Sequence, residues 1–270
     1  MAAEIFQSLH SIITVTVFIF GLILGSFFNV IICRLPANKF FMCSRSICPS
    51  CNNLIPWYDN IPIVSFIILR TKCRFCKASI SYQYPLVEFI SGITAVTLFL
   101  CQKWLHIGHW EVVYQAGVSF CLIFLIPASV IDLKHRILPD SITLGGLIFA
   151  VVLSLLPKGI TPLNALIGLL CGGGILYILA WIGEILFKKE AMGGGDIKLM
   201  TFTGALLGPK IILLSLFLGS MAGAIMGIAV LLIKKRHDFP FGPALSIGIF
   251  ISYLFGDKII QGYLSLVMLY

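Results

Sequence analysis

The chain has 270 residues, of which 59% are hydrophobic and only 11% are charged. Soluble globular proteins carry about 25% charged residues, so this composition excludes a water-soluble particle, and such high hydrophobicity also excludes a disordered chain. The formal net charge of +8 indicates basic loops on the cytoplasmic side of a membrane rather than a nucleic-acid interface. We therefore predict an all-α protein that crosses the membrane several times.

Eight apolar blocks along the chain predict a bundle of about eight transmembrane helices. The first, residues 11–33, carries no charge and is long enough to cross the roughly 30 Å hydrocarbon layer. The others lie at 85–101, 112–131, 140–156, 162–187, 198–209, 211–233 and 241–255. We separate the sixth block from the seventh at Gly208 and Pro209, because proline ends or kinks a helix.

The basic residues divide unequally between the two sides of such a bundle. With the N-terminus outside, the cytoplasmic loops contain Arg34, Lys39, Arg45, Arg70, Lys72, Arg74, Lys77, Lys134, Arg136, Lys188, Lys189, Lys198, Lys234, Lys235 and Arg236. The outer loops contain only Lys103, Lys158, Lys210 and Lys258. Because basic loops stay in the cytoplasm, this asymmetry predicts that both termini lie outside.

The polar segment at about 34–84 is predicted to be a cytoplasmic insert that binds zinc. Within it, Cys48 and Cys51 form one C-x2-C pair, and Cys73 and Cys76 form a second. Two such pairs suit tetrahedral coordination of Zn²⁺ by four thiolates, which leaves no open position and makes the metal structural. A segment of about 50 residues buries little core, so a metal would stabilise it. The alternatives are unpaired loop cysteines or a redox pair, although a redox pair does not explain two motifs.

Two aspartates lie at the cytoplasmic ends of predicted spans. Asp132 directly follows an apolar run, and Asp196 follows three glycines that include Gly193 and Gly195. An ionisable group at the membrane boundary inside a bundle is costly and indicates function. Two facing aspartates share a proton, so one can activate water while the other polarises a peptide carbonyl. The glycines would let an extended substrate approach the acid.

Each acid also has a structural interpretation. Asp132 could form an interfacial ion pair with Lys134 or Arg136. Asp196 could cap the helix that follows it. Asp140, which comes directly after a proline, is typical of the start of a helix.

The sequence resembles the bacterial type IV prepilin peptidases along almost its whole length. The resemblance rests on seven blocks in order, which include the two C-x2-C pairs. The other six are GSFFNVIICRLP at 25–36, IPWYDNIPIVSFIILRTKCRFC at 55–76, ISYQYPLVE at 80–88, IDLKHRILPDSITL at 131–144, GGGDIKLM at 193–200 and PFGPAL at 240–245.

This resemblance implies a bifunctional enzyme of the bacterial inner membrane. Asp132 and Asp196 match the two acids of a GxGD intramembrane aspartic protease, which cuts the short basic leader from prepilins and pseudopilins at the cytoplasmic face. The enzyme then methylates the new N-terminal residue with S-adenosylmethionine. The implied partners are these substrates and the lipid bilayer, with no nucleic acid, and the oligomeric state stays open.

The resemblance also divides the chain into two regions. Residues 1–110, with the first two spans and the cysteine insert, are expected to be associated with methyl transfer. Residues 111–270, with six spans, are expected to form the peptidase. Two other functions stay open: a peptidase whose zinc loop only recruits substrate, and a transporter that uses the aspartates as a proton relay.

The residues of methyl transfer are specified less clearly. No glycine-rich loop after a strand marks a cofactor pocket, so its location stays open. Glu88, an acid at the start of a predicted span, is the first candidate to receive the proton of the substrate amine or to orient it. Asp59 and Asn29 are further candidates. The alternative for Glu88 is an acid that stabilises a helix end.

Overall fold

The computed structural model describes residues 2–37, 46–101, 109–188, 192–234 and 239–267. Two compact units divide the chain, Met1–His106 and Ile107–Tyr270. Some basic residues used to predict the topology lie outside the described residues, namely Lys39, Arg45, Lys103, Lys189, Lys235 and Arg236.

The first unit is built on two long helices, with a short one between them. Helix α1 spans Ala2–Arg34, α2 spans Val64–Ile68 and α3 spans Gln83–Cys101. Helices α1 and α3 run antiparallel, since Gly21 lies against Gly92 whereas Gly25 lies against Glu88. A Cβ on Gly21 would come within 2.8 Å of the Gly92 Cα, so this close packing requires small residues.

The second unit contains seven α-helices in its described residues. They are α4 His109–Ile123, α5 Leu125–His135, α6 Asp140–Ser154, α7 Pro162–Leu169, α8 Ile175–Phe187, α9 Gly194–Lys234 and α10 Gly242–Val267. A π-helical stretch, Leu170–Gly174, joins α7 to α8. Helix α9 is central, because it packs against α6, α7 and α10 and its first half supplies the core residues Leu199, Met200, Phe202 and Leu206.

Among the described residues, six helical segments are long and apolar enough to cross a membrane. They are Ser8–Arg34, Gln83–Cys101, His109–His135, Pro162–Leu186, Gly194–Ile233 and Gly242–Val267. A helical membrane bundle is therefore confirmed. The count is lower than about eight because Asp140–Ser154 is shorter than a span and because the sixth and seventh blocks, two helices joined directly at a kink, are counted as one segment.

The predicted break at Gly208 and Pro209 is present as a kink between two helices. Gly208 has a φ of 80° and a ψ of 173°, and Pro209 follows it within α9. A positive φ of this size favours glycine, and proline cannot donate the next helical hydrogen bond. The two predicted blocks are therefore two helices that meet at this kink, and a residue from each, Met200 and Ile212, lies against Gly172.

Candidate functional site

The first C-x2-C pair lies in a tight turn formed by residues 47–54. The Cys48 N–H donates to the Asn53 carbonyl at 3.0 Å, and the Asn52 N–H donates back to the Cys48 carbonyl at 2.9 Å. An isolated antiparallel bridge between the two ends closes the turn. Asn52 has a positive φ of 55°, a conformation that asparagine tolerates better than most residues.

The second pair lies in a turn of the same design, formed by residues 72–79. The Cys73 N–H donates to the Ala78 carbonyl at 2.8 Å, and the Lys77 N–H donates to the Cys73 carbonyl at 3.1 Å. Lys77 has a φ of 59° at the position equivalent to the asparagine of the first turn. The sequence shows no internal repeat, yet the backbone forms the same kind of turn at both C-x2-C pairs. We call each of these two turns a knuckle.

These two knuckles bring four sulfur atoms to one point. The Sγ atoms of Cys48, Cys51, Cys73 and Cys76 all lie within 4.8 Å of one another, and those of Cys48 and Cys76 are 3.9 Å apart. Zn–S bonds of about 2.3 Å in a tetrahedron place sulfurs about 3.8 Å apart, so the cluster fits zinc. Hydrogen bonds from the backbone of Cys51 and Ser50 lower the pKa of the Cys48 thiol to about 7, whereas burial and hydrogen bonds among the cysteine sulfurs raise the pKa of the Cys76 thiol to about 11.

A cavity of about 530 Å³ in the same unit is bordered by all three candidate residues of methyl transfer. Asn29 lies on α1 and is 2% exposed, while Glu88 lies on α3 and is 7% exposed. The Glu88 Oε2 atom accepts the N–H of Ile63 at 2.8 Å. Asp59, the third candidate, lies in the 3₁₀ turn Trp57–Asn60 and also borders the cavity.

Asp59 is tied to the second knuckle by an ion pair. Arg74, between the two cysteines of that knuckle, donates to both carboxylate oxygens, at 2.6 and 2.7 Å. The Arg74 guanidinium holds the pKa of the Asp59 carboxyl below its usual range. Because the Asp59 side chain is only 6% exposed, this pair joins the 3₁₀ turn firmly to the cysteine cluster.

The second unit brings the two predicted catalytic acids to one cavity. Asp132, near the end of α5, and Asp196, in the first turn of α9, border a cavity of about 270 Å³. Gly193 and Gly195 border it as well. Asp196 is the third residue of its helix rather than the cap that precedes the helix, and its N–H donates to the Gly193 carbonyl at 3.1 Å.

Asp132 is held by the start of another helix. The N–H of Gly242, the first residue of α10, donates to its Oδ2 atom at 2.9 Å. The first N–H groups of a helix have no partner within the helix, and the helix dipole favours negative charge there. A Cβ on Gly242 would lie 2.6 Å from this oxygen, so only glycine brings the backbone so close.

The short connection between α5 and α6, residues 136–139, contacts the glycine turn of α9. Gly195 packs against Leu138, leaving only 2.8 Å between an added Cβ and the Leu138 Cβ. Beyond it, the Lys198 Nζ lies 2.6 Å from an oxygen of Asp140, the first residue of α6. The connection that follows the helix of Asp132 therefore also holds the turn that carries Asp196.

Comparison with known proteins identifies the family. Residues 119–228 match the type IV leader peptidase family, and residues 19–102 match the bacterial Peptidase A24 N-terminal domain. A protein of Aeromonas salmonicida (strain A449) named prepilin leader peptidase/N-methyltransferase is 36% identical, over 93% of this chain and 94% of its own. The chain belongs to the type IV leader peptidase family. This is a family of aspartic peptidases.

Other relatives of the leader peptidase family are similar over comparable lengths. Proteins of the same name from Neisseria gonorrhoeae and Pseudomonas aeruginosa are 34% and 32% identical. The alignments cover 89% and 91% of this chain, and 90% and 91% of the relatives. No solved structure gives a significant match. The resemblance predicted from the sequence is confirmed.

Two residues near the acids had no predicted role in the leader peptidase chemistry. Gly242 was part of a matched block, and the glycine-proline pair before an apolar run was the available signal for a helix start beside the site. Lys198 was used only to predict topology. Its partner Asp140 starts a helix, as predicted, but it also borders the cavity of the two acids.

Proposed function

We propose that this chain removes the leader from prepilins with Asp132 and Asp196 and then N-methylates the new N-terminus. Leader cleavage and N-methylation are the activities named for relatives that align over almost the whole chain. The observation that carries the proposal is the shared cavity, since two acids from separate helices border one space with the GxGD glycines.

The peptidase reaction needs one charged and one protonated carboxyl group. We assign the charge to Asp132, because the Gly242 N–H and the start of α10 stabilise it. Asp132 takes a proton from water as the water oxygen attacks the scissile carbonyl carbon, and Asp196 donates a hydrogen bond to the carbonyl oxygen. When the peptide bond breaks, the proton on Asp132 passes to the leaving nitrogen.

Methyl transfer is proposed for the region 1–110. S-adenosylmethionine, when bound, supplies a methyl group activated by a sulfonium. Glu88 is proposed to receive the proton of the substrate amine or to orient that amine, because its buried carboxyl group borders a cavity large enough for a small ligand. Asn29 and Asp59 border the same cavity. Because both carboxylate oxygens of Asp59 accept hydrogen bonds from Arg74, Asp59 is proposed to stabilise the structure of the cavity wall rather than to contact the substrate.

The four cysteines are proposed to bind one structural zinc ion. Four thiolates fill a tetrahedral shell, so the metal would hold the two knuckles together and take no part in chemistry. The donor set and the sulfur spacing support this proposal. The region 111–270, with the two aspartates, is proposed to be the peptidase.

We further propose that the protein resides in the bacterial inner membrane with both termini outside. The two acids and the cysteine insert would then lie on the cytoplasmic side, where prepilin or pseudopilin leaders are available. The apolar helices support membrane insertion, and the asymmetry of Lys and Arg supports this orientation.

A single assay with purified chain in detergent tests these activities. Prepilin and methyl-labelled S-adenosylmethionine are added, cleavage is followed by gel mobility, and label is measured in the mature product. We expect both signals, and we expect Asp132→Asn or Asp196→Asn to lower the cleavage rate at least about 1,000-fold.

The same assay separates the two alternatives. Cleavage without any label in the product would indicate a peptidase whose zinc loop only recruits substrate. A transporter needs a gradient and would cleave nothing in detergent, so cleavage by the purified chain excludes it. Normal cleavage by either aspartate variant would refute the role proposed for that residue.

A further inference from the structure

The cavity of the first unit has the size and the walls of a small-molecule site. Its volume of about 530 Å³ lies within the roughly 300–1,000 Å³ typical of ligand pockets. Apolar side chains from α1 and from the segment between α1 and α3 form much of the wall, among them Val30, Ile55, Phe66, Leu69 and Ile80. Such a wall suits a flat aromatic group.

One buried acceptor on this wall has no donor. Asn29 is 2% exposed, and its Nδ2 atom donates to the Tyr84 carbonyl at 3.1 Å. This bond fixes the orientation of the amide and leaves Oδ1 buried without a hydrogen-bond partner. Buried polar atoms are almost always paired, so the site calls for a ligand that offers an N–H group.

A carboxylate borders the same cavity. Glu88 accepts the Ile63 N–H through Oε2 and is also hydrogen-bonded by the Ser26 side chain. It therefore presents a carboxyl group without a cationic side-chain partner among the described residues, whereas the Asp59 carboxylate is paired with Arg74. A cationic ligand with an aromatic ring and N–H donors would pack its ring on the apolar wall, donate to the Asn29 amide oxygen and place its positive charge near the Glu88 carboxyl group.

We propose that this cavity binds the adenosyl methyl donor, with Asn29 Oδ1 accepting an N–H of the ligand and Glu88 facing its positive charge. S-adenosylmethionine has each required feature, namely an adenine ring, amino N–H groups and a sulfonium with an ammonium. The inference rests on the proposed methyl transfer and adds to it the place where the donor binds.

Binding of S-adenosylhomocysteine to the full chain in detergent, measured by titration calorimetry, tests the proposal without relying on activity. Asn29→Leu removes the acceptor, and Val30→Trp fills the cavity while leaving Asn29 in place. We expect each variant to raise the dissociation constant at least about tenfold, equivalent to about 1.4 kcal/mol. Circular dichroism and zinc content check that each variant folds.

Two control variants match these changes elsewhere in the chain. Gln115 in α4 has a buried Oε1 without a hydrogen-bond partner, so Gln115→Met removes an equivalent acceptor from the second unit. Val15 on α1 is 58% exposed, so Val15→Trp adds the same bulk outside the cavity. We expect unchanged affinity for both controls.

The possible outcomes separate the pocket from the proposed function. If the unmodified chain binds the ligand and methylates pilin, but Asn29→Leu and Val30→Trp bind it with unchanged affinity, the pocket is wrong and the function stands. If the unmodified chain neither binds the ligand nor transfers methyl, both are wrong. Weakened binding by the two cavity variants with unchanged controls supports the pocket.

Discussion

The Lys198 Nζ lies 2.6 Å from Asp140 Oδ1, and this ion pair joins the N-terminal part of α9 to the first residue of α6. Asp196 lies two residues before Lys198, directly after Gly194 and Gly195, the first two residues of α9. Both partners are largely exposed, so such a pair contributes less than about 1 kcal/mol to folding. We therefore expect the ion pair to act mainly by fixing the position of Asp196.

Loss of this ion pair should therefore slow cleavage more than it destabilises the fold. We expect Asp140→Asn and Lys198→Met each to lower kcat for leader cleavage about tenfold, because small displacements of catalytic groups are costly. The exchanged pair, Asp140→Lys with Lys198→Asp, should recover much of the rate. Steady-state kinetics and thermal unfolding measure the two effects.

A second ion pair in the same unit provides the control. Lys210 and Asp257 lie 2.7 Å apart, and both are also exposed. Asp257→Asn removes a similar interaction away from the acids and should leave kcat unchanged. Equal losses of rate in the Asp257 and Asp140 variants would contradict a positioning role.

The contact between Gly242 and Asp132 predicts a strong effect from one methyl group. An added Cβ would lie 2.6 Å from the Asp132 Oδ2, so Gly242→Ala must displace either the carboxylate or the start of α10. We expect leader cleavage to fall about 100-fold. Gly262→Ala, at a position on the same helix with no atom within 4 Å of the added carbon, should leave the rate unchanged.

The cysteine cluster predicts one zinc ion per chain. Cys48→Ser or Cys73→Ser should abolish stoichiometric binding, because three thiolates and a hydroxyl form a much weaker tetrahedral site. Elemental analysis of purified protein measures the content. Cys101→Ser, outside the cluster and exposed, should retain the zinc. Purified protein without any metal would contradict the assignment.

The paired aspartates predict a bell-shaped dependence of cleavage on pH. The pair is active with one proton shared between two carboxyl groups, so activity falls at low pH as both become protonated and at high pH as both ionise. The profile of kcat/KM against pH in detergent measures both limbs. If kcat/KM stayed constant toward low pH or toward high pH, a proton shared between the two carboxyl groups would be excluded.

Local signals in the sequence were strong enough to predict the helices and the grouping of the four cysteines. Apolar runs indicate helices because the membrane interior leaves no other partner for backbone hydrogen bonds. Two C-x2-C pairs indicate a tetrahedral site because each turn directs two sulfurs toward one point. Even the kink at Gly208 and Pro209 follows from local conformational rules.

The composition that excluded a soluble fold also made the few acids informative, because Asp132 and Asp196 were predicted to be catalytic from the scarcity of acids and from their positions at the ends of apolar runs. Only the tertiary structure decided what surrounds them. Gly242 lies 110 residues from Asp132 in the chain, and Lys198 lies 58 residues from Asp140. Such contacts depend on how helices pack against one another, which no periodicity within a single helix can specify.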